Sequence, residues 1–414
     1  MKKRILLIAW ALGALNVAHA LTLDECAQMA QENYPAIKQY DLITATRDYN
    51  LSNASKGWLP KISVQASAYG FTDILDSESK LSQMGVELEN YIVSGNVTIQ
   101  QTIYDGGKTA AYKRVITAKS ETETRQTDVT LYNIKVRAEE LFFGILLLDE
   151  QLKQNEILQS DLQVSIKTVE NMIRGGIADQ SDLDALQVEL LNAQQQKDVF
   201  EASRVAYVRM LGTFIGKELD SETVFEKPTM IEMNSSESSF RPEMELFSSQ
   251  DNLIEAQRKQ LSSALRPTIG FMGMGLLHTK VSDIISTGML IGGVSISWNI
   301  NALYTRKNDL NKLSELSQQN DVKRQTFLFQ NRLQQEETDG TIEALRKQIE
   351  SDNKIVELRE DIRNKADRKV AAGTESVNEL VRDINAADRA RGQRAIHEVQ
   401  LLKAMYGLKN LIGK

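Results

Sequence analysis

Few residues of this chain could perform acid–base, nucleophilic or metal chemistry. Beyond a predicted signal peptide, only His278, His397 and the single cysteine Cys26 remain. Neither histidine stands at a metal-ligand spacing, and a nucleophilic pair would need Cys26 to meet a histidine across the fold. The run Gly270-Phe-Met-Gly-Met-Gly275 has the glycines of a phosphate loop, but it lies inside an alternating strand pattern. We therefore expect no enzyme activity, no metal site and no cofactor.

Acidic residues occur at two predicted helix starts. Asp179-x-x-Asp182 and Ser376-x-x-Glu379 each combine an N-cap residue with an acidic third position. Helix capping by itself would place carboxylates there. A pore-lining role for the same side chains is compatible with capping, so both interpretations stay open.

Both helix starts belong to a sequence that is present twice. The first copy opens with VTIQQTIYDGGK at Val97, and the second opens with VSISWNINALYT at Val294. The offset of 197 that relates these two positions also relates Gly176 to Gly373, so about eighty residues repeat without a net insertion. We predict a first structural repeat over 21–215, a linker over 216–240 and a second structural repeat over 241–414.

Each repeat is predicted to contain a helix, two strands, a long helix and a final helix. In the first repeat these elements cover 22–56, 61–70, 91–104, 108–172 and 179–212, with a polar loop over 71–90. In the second, a helix covers 242–265, a strand starts at Thr268, a loop covers 278–286, and a strand includes Val294, Ile296, Trp298 and Ile300. The final helix is predicted to end at Tyr406-Gly407. The fold class is mainly α with a small β part.

The long helix of the first repeat carries a coiled-coil seam. Apolar residues step by four and three from Ile134 to Leu152, stop at Asn155 and Gln159, and resume at Leu162. A helix of that length would extend for about 100 Å. Such helices pair into hairpins and are not the core of a compact enzyme.

The strands have one apolar and one polar face. In the first strand, Ile62 and Val64 alternate with Ser63 and Gln65. This pattern suits a transmembrane β-barrel and also a soluble sandwich. Four strands are too few to close a barrel, which takes about eight. A barrel would therefore be shared between several chains.

The N-terminus and the net charge indicate an exported, acidic protein. Met1-Lys2-Lys3-Arg4, an apolar run and Ala18-His19-Ala20 predict a signal peptide over 1–20. Removing its three cations leaves 46 lysines and arginines against 56 acids, a charge near −10. Such a chain has no nucleic-acid footprint. Cys26 follows Leu-Asp-Glu, which lacks the small residues of a lipidation site.

Several motifs together resemble the TolC-type outer-membrane efflux proteins, or outer-membrane factors. They are the opening LTLDECAQMAQENYPAIKQ, the corner TIYDGGK, and the hairpin tips RGGIADQSDL and AAGTESVNEL. The resemblance implies a homotrimer that forms a twelve-stranded barrel in the outer-membrane lipid and a periplasmic tunnel, an α-barrel of duplicated coiled-coil hairpins.

The same resemblance implies a function. Such a channel is the passive exit duct of a tripartite efflux pump or type I secretion system. It contacts a periplasmic adaptor and, through the adaptor, an inner-membrane transporter. The alternative is a periplasmic coiled-coil adaptor or spacer, which should have one helical hairpin where this sequence predicts two.

The resemblance also implies site residues at the hairpin tips. Alignment on Gly176 and Gly373 places a periplasmic tip gate at Ser181, Asp182, Val370, Glu375, Glu379 and Arg382. On the second hairpin only Glu379 keeps the family's residue type. The adaptor contact is expected at the turns Gly176, Ile177 and Ala178 and Gly373 and Thr374.

Overall fold

The computed structural model describes residues 20–70, 91–231, 241–279 and 287–413. The predicted signal peptide, the loop over 71–90, the end of the linker and nearly all of the loop over 278–286 lie outside these residues. The elements, in chain order, are α1 (Leu23–Asn33), a short 3-10 helix (Pro35–Lys38), α2 (Gln39–Lys56), β1 (Lys61–Gly70), β2 (Tyr91–Tyr104), α3 (Lys108–Arg174), α4 (Gln180–Ile215), α5 (Pro242–Ser263), β3 (Thr268–Thr279), β4 (Thr287–Ser297), α6 (Ala302–Ala371) and α7 (Val377–Ile412).

The order of elements agrees with the sequence prediction, but several bounds differ. Strand β3 continues to Thr279, into the loop predicted from 278, and α4 continues to Ile215, past the predicted end at 212. Tyr34 and Pro35 divide the first predicted helix into α1 and α2. Strand β4 ends at Ser297, so Trp298 and Ile300 lie beyond it. The prediction that the last helix ends at Tyr406-Gly407 is wrong, because α7 continues to Ile412.

The helices α4 and α7 show the 197-residue offset in three dimensions. Both contain 36 residues, and adding 197 to the bounds of α4 gives the bounds of α7. Gly216 and Gly413 end them with positive φ angles of 68° and 85°. A residue with a β-carbon rarely adopts this conformation, so glycine stops both helices at the same point.

The four strands form one antiparallel sheet in the order β1-β2-β3-β4. Its register places most apolar residues of β1 and β2, and residues such as Phe271, Leu277, Leu290 and Val294 of β3 and β4, on one face, which includes the row Ile62, Ile99, Gly273 and Gly292. On this face a large side chain often lies opposite a glycine. The δ-carbon of Leu290, for example, lies 3.4 Å from the position of a β-carbon at Gly275.

The chain divides into two compact units, and each unit contains segments of both sequence repeats. One unit comprises Gln39–Gln126 and Glu245–Gln325, which include the sheet, α2, α5 and the first parts of α3 and α6. Polar contacts join its helices. The Asn320 amide donates to the Phe247 carbonyl at 2.9 Å, and Arg324 pairs with Asp251.

The other unit comprises Met1–Lys38, Thr127–Met244 and Thr326–Lys414. Its largest apolar cluster contains Phe142, Phe143, Phe225 and Tyr406, with ring centroids 5.5 to 6.3 Å apart. Cys26 is fully buried in this cluster, and burial raises the pKa of its thiol to about 12. The thiol is therefore a packing group without nucleophilic character at neutral pH.

The polar break in the coiled-coil seam joins α3 to α4. The buried Asn155 donates from Nδ2 to the Ala193 carbonyl at 3.0 Å, and Gln159 donates to Asn155 Oδ1 at 2.7 Å. An amide that satisfies its hydrogen bonds across two helices fixes their register. None of the helices in the described residues combines the length and apolar character needed to cross a membrane.

Candidate functional site

The two hairpin turns have the same backbone geometry. In the first turn, Gly176 N donates to the Ile173 carbonyl at 3.0 Å and Ile177 N donates to the Met172 carbonyl at 2.9 Å. The second turn repeats both hydrogen bonds at positions 197 residues later, at 2.8 and 2.9 Å. Gly176 and Gly373 have φ angles of 71° and 69°, which only glycine adopts readily.

Asp179 and Asp182 form a capping box at the start of α4. Asp182 N donates to Asp179 Oδ1 at 3.1 Å, and Asp179 N donates to Asp182 Oδ2 at 3.3 Å. Hydrogen bonds from the Ser181 hydroxyl and the Asp182 backbone lower the pKa of Asp179. The capping interpretation of Asp182 is confirmed, and the exposed Ser181 lies beside it.

Ser376 caps α7 in the same way, since Glu379 N donates to its Oγ at 3.3 Å. The Glu379 carboxylate lies 3.7 Å from Arg382, one turn further along the helix. Both side chains are well exposed. This i, i+3 pair places a positive charge directly beside the Glu379 carboxylate.

An apolar cluster lies beneath both turns. It contains Met172 and Leu183 from the first hairpin and Val370, Val377 and Leu380 from the second, so it joins the hairpins near their tips. Val370 is 0% exposed. Val370 therefore packs in the interior of the hairpin, whereas the other predicted gate residues keep some exposed surface.

The remaining predicted site residues differ in exposure, and the side chain of Glu375 is mostly buried. The Glu375 carboxylate is 3.5 Å from Lys369. Gly176, Ile177, Gly373 and Thr374 are exposed, whereas Ala178 is partly buried. The structure therefore brings both predicted adaptor-contact segments to one end of the paired hairpins.

A charge cluster that the sequence did not reveal joins the hairpins further from the turns. Asp161 on α3 accepts from Arg363 on α6 at 2.8 Å and from Arg391 on α7 at 2.9 Å. All three side chains are at least three-quarters buried. No spacing pattern connects residues 202 and 230 positions apart, so only the packing reveals this cluster.

Asp388 adds a second carboxyl to this charge cluster. Burial raises the pKa of Asp388 to about 6, with Arg391 acting in the opposite direction and Asp161 raising it further. The carboxyl therefore titrates close to neutral pH, unlike an exposed aspartate.

The contacts of His397 are structural. His397 Nδ1 lies 2.6 Å from Asp352 Oδ2, and Gln393 contacts its other ring nitrogen at 2.7 Å. Within the described ranges, no three His, Cys, Asp or Glu side chains are grouped to hold a metal ion.

Comparisons with known proteins support the architecture. No family model matches the sequence, and none of the curated proteins compared with it does. The outer-membrane channel OprN matches with a TM-score of 0.71 and 13% identity over 94% of this chain and 89% of that chain. The Campylobacter jejuni CmeC outer membrane channel gives 0.70 and 12% over 94% and 85%.

The outer membrane protein VceC from Vibrio cholerae gives a TM-score of 0.70 and 12% identity over 94% of both chains. The likeness covers nearly the whole length of this chain and most of each of the other chains. At these identities it establishes the fold. The chain is mainly α with a four-stranded antiparallel sheet, and it has the fold of these outer-membrane channels.

Proposed function

We propose that this chain is an outer-membrane factor, the passive exit channel of a tripartite efflux pump or type I secretion system. It works as a homotrimer in the outer membrane, with a tunnel in the periplasm. A periplasmic adaptor connects it to an inner-membrane transporter. The similar solved structures are channels, and they give the adaptor or spacer alternative no support.

The sheet supports this proposal most directly, because its apolar face is exposed. Leu290 is 91% exposed and Val64 is 76% exposed. Contiguous apolar surface of this kind is unfavourable in water and suits contact with lipid. The opposite face of β1 and β2 carries Ser63, Gln65 and Asn96, which suits a water-filled lumen.

The sheet edges support the trimer. In the described residues, β1 pairs only with β2 and β4 only with β3. Edge strands in lipid need partners for their backbone groups. Three copies of a four-stranded sheet, joined edge to edge, would satisfy every edge and give a closed barrel.

The hairpin tips supply the proposed periplasmic mouth. Ser181, Asp182, Glu375, Glu379 and Arg382 surround it, and Val370 packs beneath the turn. The turns Gly176-Ile177-Ala178 and Gly373-Thr374 form the adaptor contact. What supports this assignment is the exposure of both turns at one end of the paired hairpins.

Adjacent residues on β4 give a direct test of the membrane assignment. Val294 is on the apolar face and Ser295 is on the opposite face. Val294→Lys should reduce the amount of trimer in the outer-membrane fraction, because a lysine facing lipid is unfavourable, by up to about 2–4 kcal/mol at mid-depth and by less toward the interfaces. Ser295→Lys should leave it unchanged. Equal behaviour of the two variants, or a monomer in the soluble fraction for the unaltered protein, would contradict the proposal.

The adaptor contact has a matched control of its own. Ile177, on the first turn, and Met230, in the linker, are both 61% exposed. Ile177→Asp should abolish export and cross-linking to the adaptor, while Met230→Asp should retain both. Both proteins should remain trimeric in the outer membrane. Export that survives Ile177→Asp would place the adaptor elsewhere.

A further inference from the structure

The face of the sheet opposite the apolar one changes character between its two halves. On β1 and β2 it carries hydroxyl and amide side chains, and Ser67 and Ser94 share a hydrogen bond of 2.9 Å. On β3 and β4 the same face is apolar, and it carries Leu276 and Ile291 together with Met272, Met274 and Met289. Lumen-facing residues of a barrel are usually polar, so the methionines depart from the pattern.

The register brings these methionines together. Met272 and Met274 are two residues apart on β3, so they share a face as neighbours. Met274 lies opposite Ile291, and Met289 lies opposite Leu276. Met274 and Met289 are therefore diagonal neighbours, with backbones roughly 7–8 Å apart, a separation that two flexible methionine side chains can bridge.

Space and exposure are available around the three thioethers. Met272 lies opposite Gly293, and a β-carbon at Gly293 would meet no heavy atom within 4 Å. Met289 is half exposed, and Met272 and Met274 are partly exposed. The sulfur atoms are accordingly not committed to an apolar core.

The chemistry of this face selects one class of ligand. In the described strands it carries no acidic residue, so hard divalent cations lack the carboxylates they prefer. Its neighbours across β2 are the neutral Thr98 and Gln100. Among the lysines and arginines of the described strands, Lys61 lies two strands from Met272, roughly 10 Å away. Thioether sulfur is a soft ligand that favours monovalent copper and similar ions.

We propose that Met272, Met274 and Met289 form a binding site for soft monovalent cations such as Ag⁺ and Cu⁺, centred on Met274. The ion is held by pairs of thioethers and can move from the Met272–Met274 pair to the Met274–Met289 pair. Weak, adjacent sites of this kind permit passage along a pore. That the bound ion is exported cargo rests on the proposed channel function, whereas the binding itself does not.

The test uses silver nitrate and the purified full-length protein in a chloride-free detergent solution. Replacing all three methionines with leucine (M272L, M274L and M289L) keeps the volume and apolar character and removes only the sulfur atoms. The control replaces Met210 and Met230, which are exposed outside the sheet, with leucine. Cys26 is the same in all proteins, so it cancels from the comparison.

Isothermal titration should show Ag⁺ binding to the unaltered protein that weakens about tenfold or more in the triple variant and persists in the control. Silver-edge X-ray absorption should show sulfur ligands that the triple variant loses. Equal titrations of the unaltered protein and the triple variant would overturn the site. So would an equal loss in the control.

The cargo role is tested separately in cells that depend on this channel. The triple variant should lower tolerance to silver and leave export of an organic dye unchanged. Unchanged silver tolerance beside lost Ag⁺ binding in solution would overturn the cargo role and keep the site. If the unaltered protein itself does not export the dye, the proposed channel function is wrong.

Discussion

The Cγ2 methyl group of Ile177 on the first hairpin turn lies against Gly373 on the second, 3.1 Å from the position that a β-carbon would take there. The matching glycine of the first turn, Gly176, has no heavy atom within 4 Å of the same position. The two turns share backbone geometry and hydrogen bonds but differ in this one contact. A comparison of substitutions at the two glycines therefore separates the effect of backbone strain from the effect of contact between the hairpins.

Alanine at either glycine should destabilise the hairpins by different amounts. Gly176→Ala should cost about 1 kcal/mol, because the left-handed backbone disfavours any β-carbon. Gly373→Ala should cost more, since its new methyl group also meets Ile177. Adding Ile177→Ala should remove this excess and leave the cost at Gly176 unchanged. Thermal unfolding at a fixed scan rate measures the cost of each alanine substitution, with and without Ile177→Ala. Equal costs at the two glycines would mean that the Ile177 side chain moves aside freely.

Removing the negative charge of Asp161 should weaken the contact between the hairpins. Asp161→Asn removes the carboxylate that Arg363 and Arg391 share and leaves Arg391 only its longer, 3.9 Å contact with Glu360, which should cost about 2–4 kcal/mol. The control is Lys347→Met, which breaks the highly exposed pair with Glu343 and should hardly change the unfolding temperature. If both variants unfold alike, the Asp161 cluster contributes no more than a surface ion pair.

Asp388 should make stability depend on pH. Burial raises its pKa from the ordinary 3.8 to about 6, so the folded protein binds this proton more tightly than the unfolded chain does. Its contribution is therefore fully present below about pH 4 and is lost as the pH rises through 6. Asp161 on α3 and Arg389 and Arg391 on α7 face this carboxyl, and Glu360 on α6 lies 3.9 Å from Arg391.

The measurement is the difference in unfolding temperature between Asp388→Asn and the unaltered protein, followed from pH 4.5 to 8. The variant should gain relative stability as the pH rises and level off above about 6, since its amide never ionises. The difference removes the pH dependence that both proteins share. A difference that does not change with pH would show that Asp388 titrates as an exposed carboxyl.

Arg382 should reduce the cation selectivity of the mouth, if the proposed channel function is right. Its guanidinium lies 3.7 Å from Glu379, and a trimer would repeat this pair three times around the axis. Arg382→Asp should raise both cation selectivity and block by multivalent cations. Reversal potentials of trimers in planar bilayers measure the effect. Unchanged potentials would mean that Arg382 faces away from the lumen and that Glu379 acts only at the helix start.

Local patterns in the sequence determined most of the elements. Alternation predicted β1 and β2 at their observed bounds, since the side-chain period of a strand depends on the backbone alone. The caps at Asp179 and Ser376 were equally predictable, because an N-cap and its third residue interact within one turn. The offset of 197 carried these assignments from the first repeat to the second.

Tertiary packing decided the rest. Gly407 lies inside α7 because the buried Leu408 and Ile412 hold the following turns against other helices, and this outweighs the low helix propensity of glycine. Asp161 and Asp388 look like ordinary solvated charges until the neighbouring helices bury them, because burial and partners depend on residues hundreds of positions away. The methionine site likewise depends on strand register, which single strands do not specify.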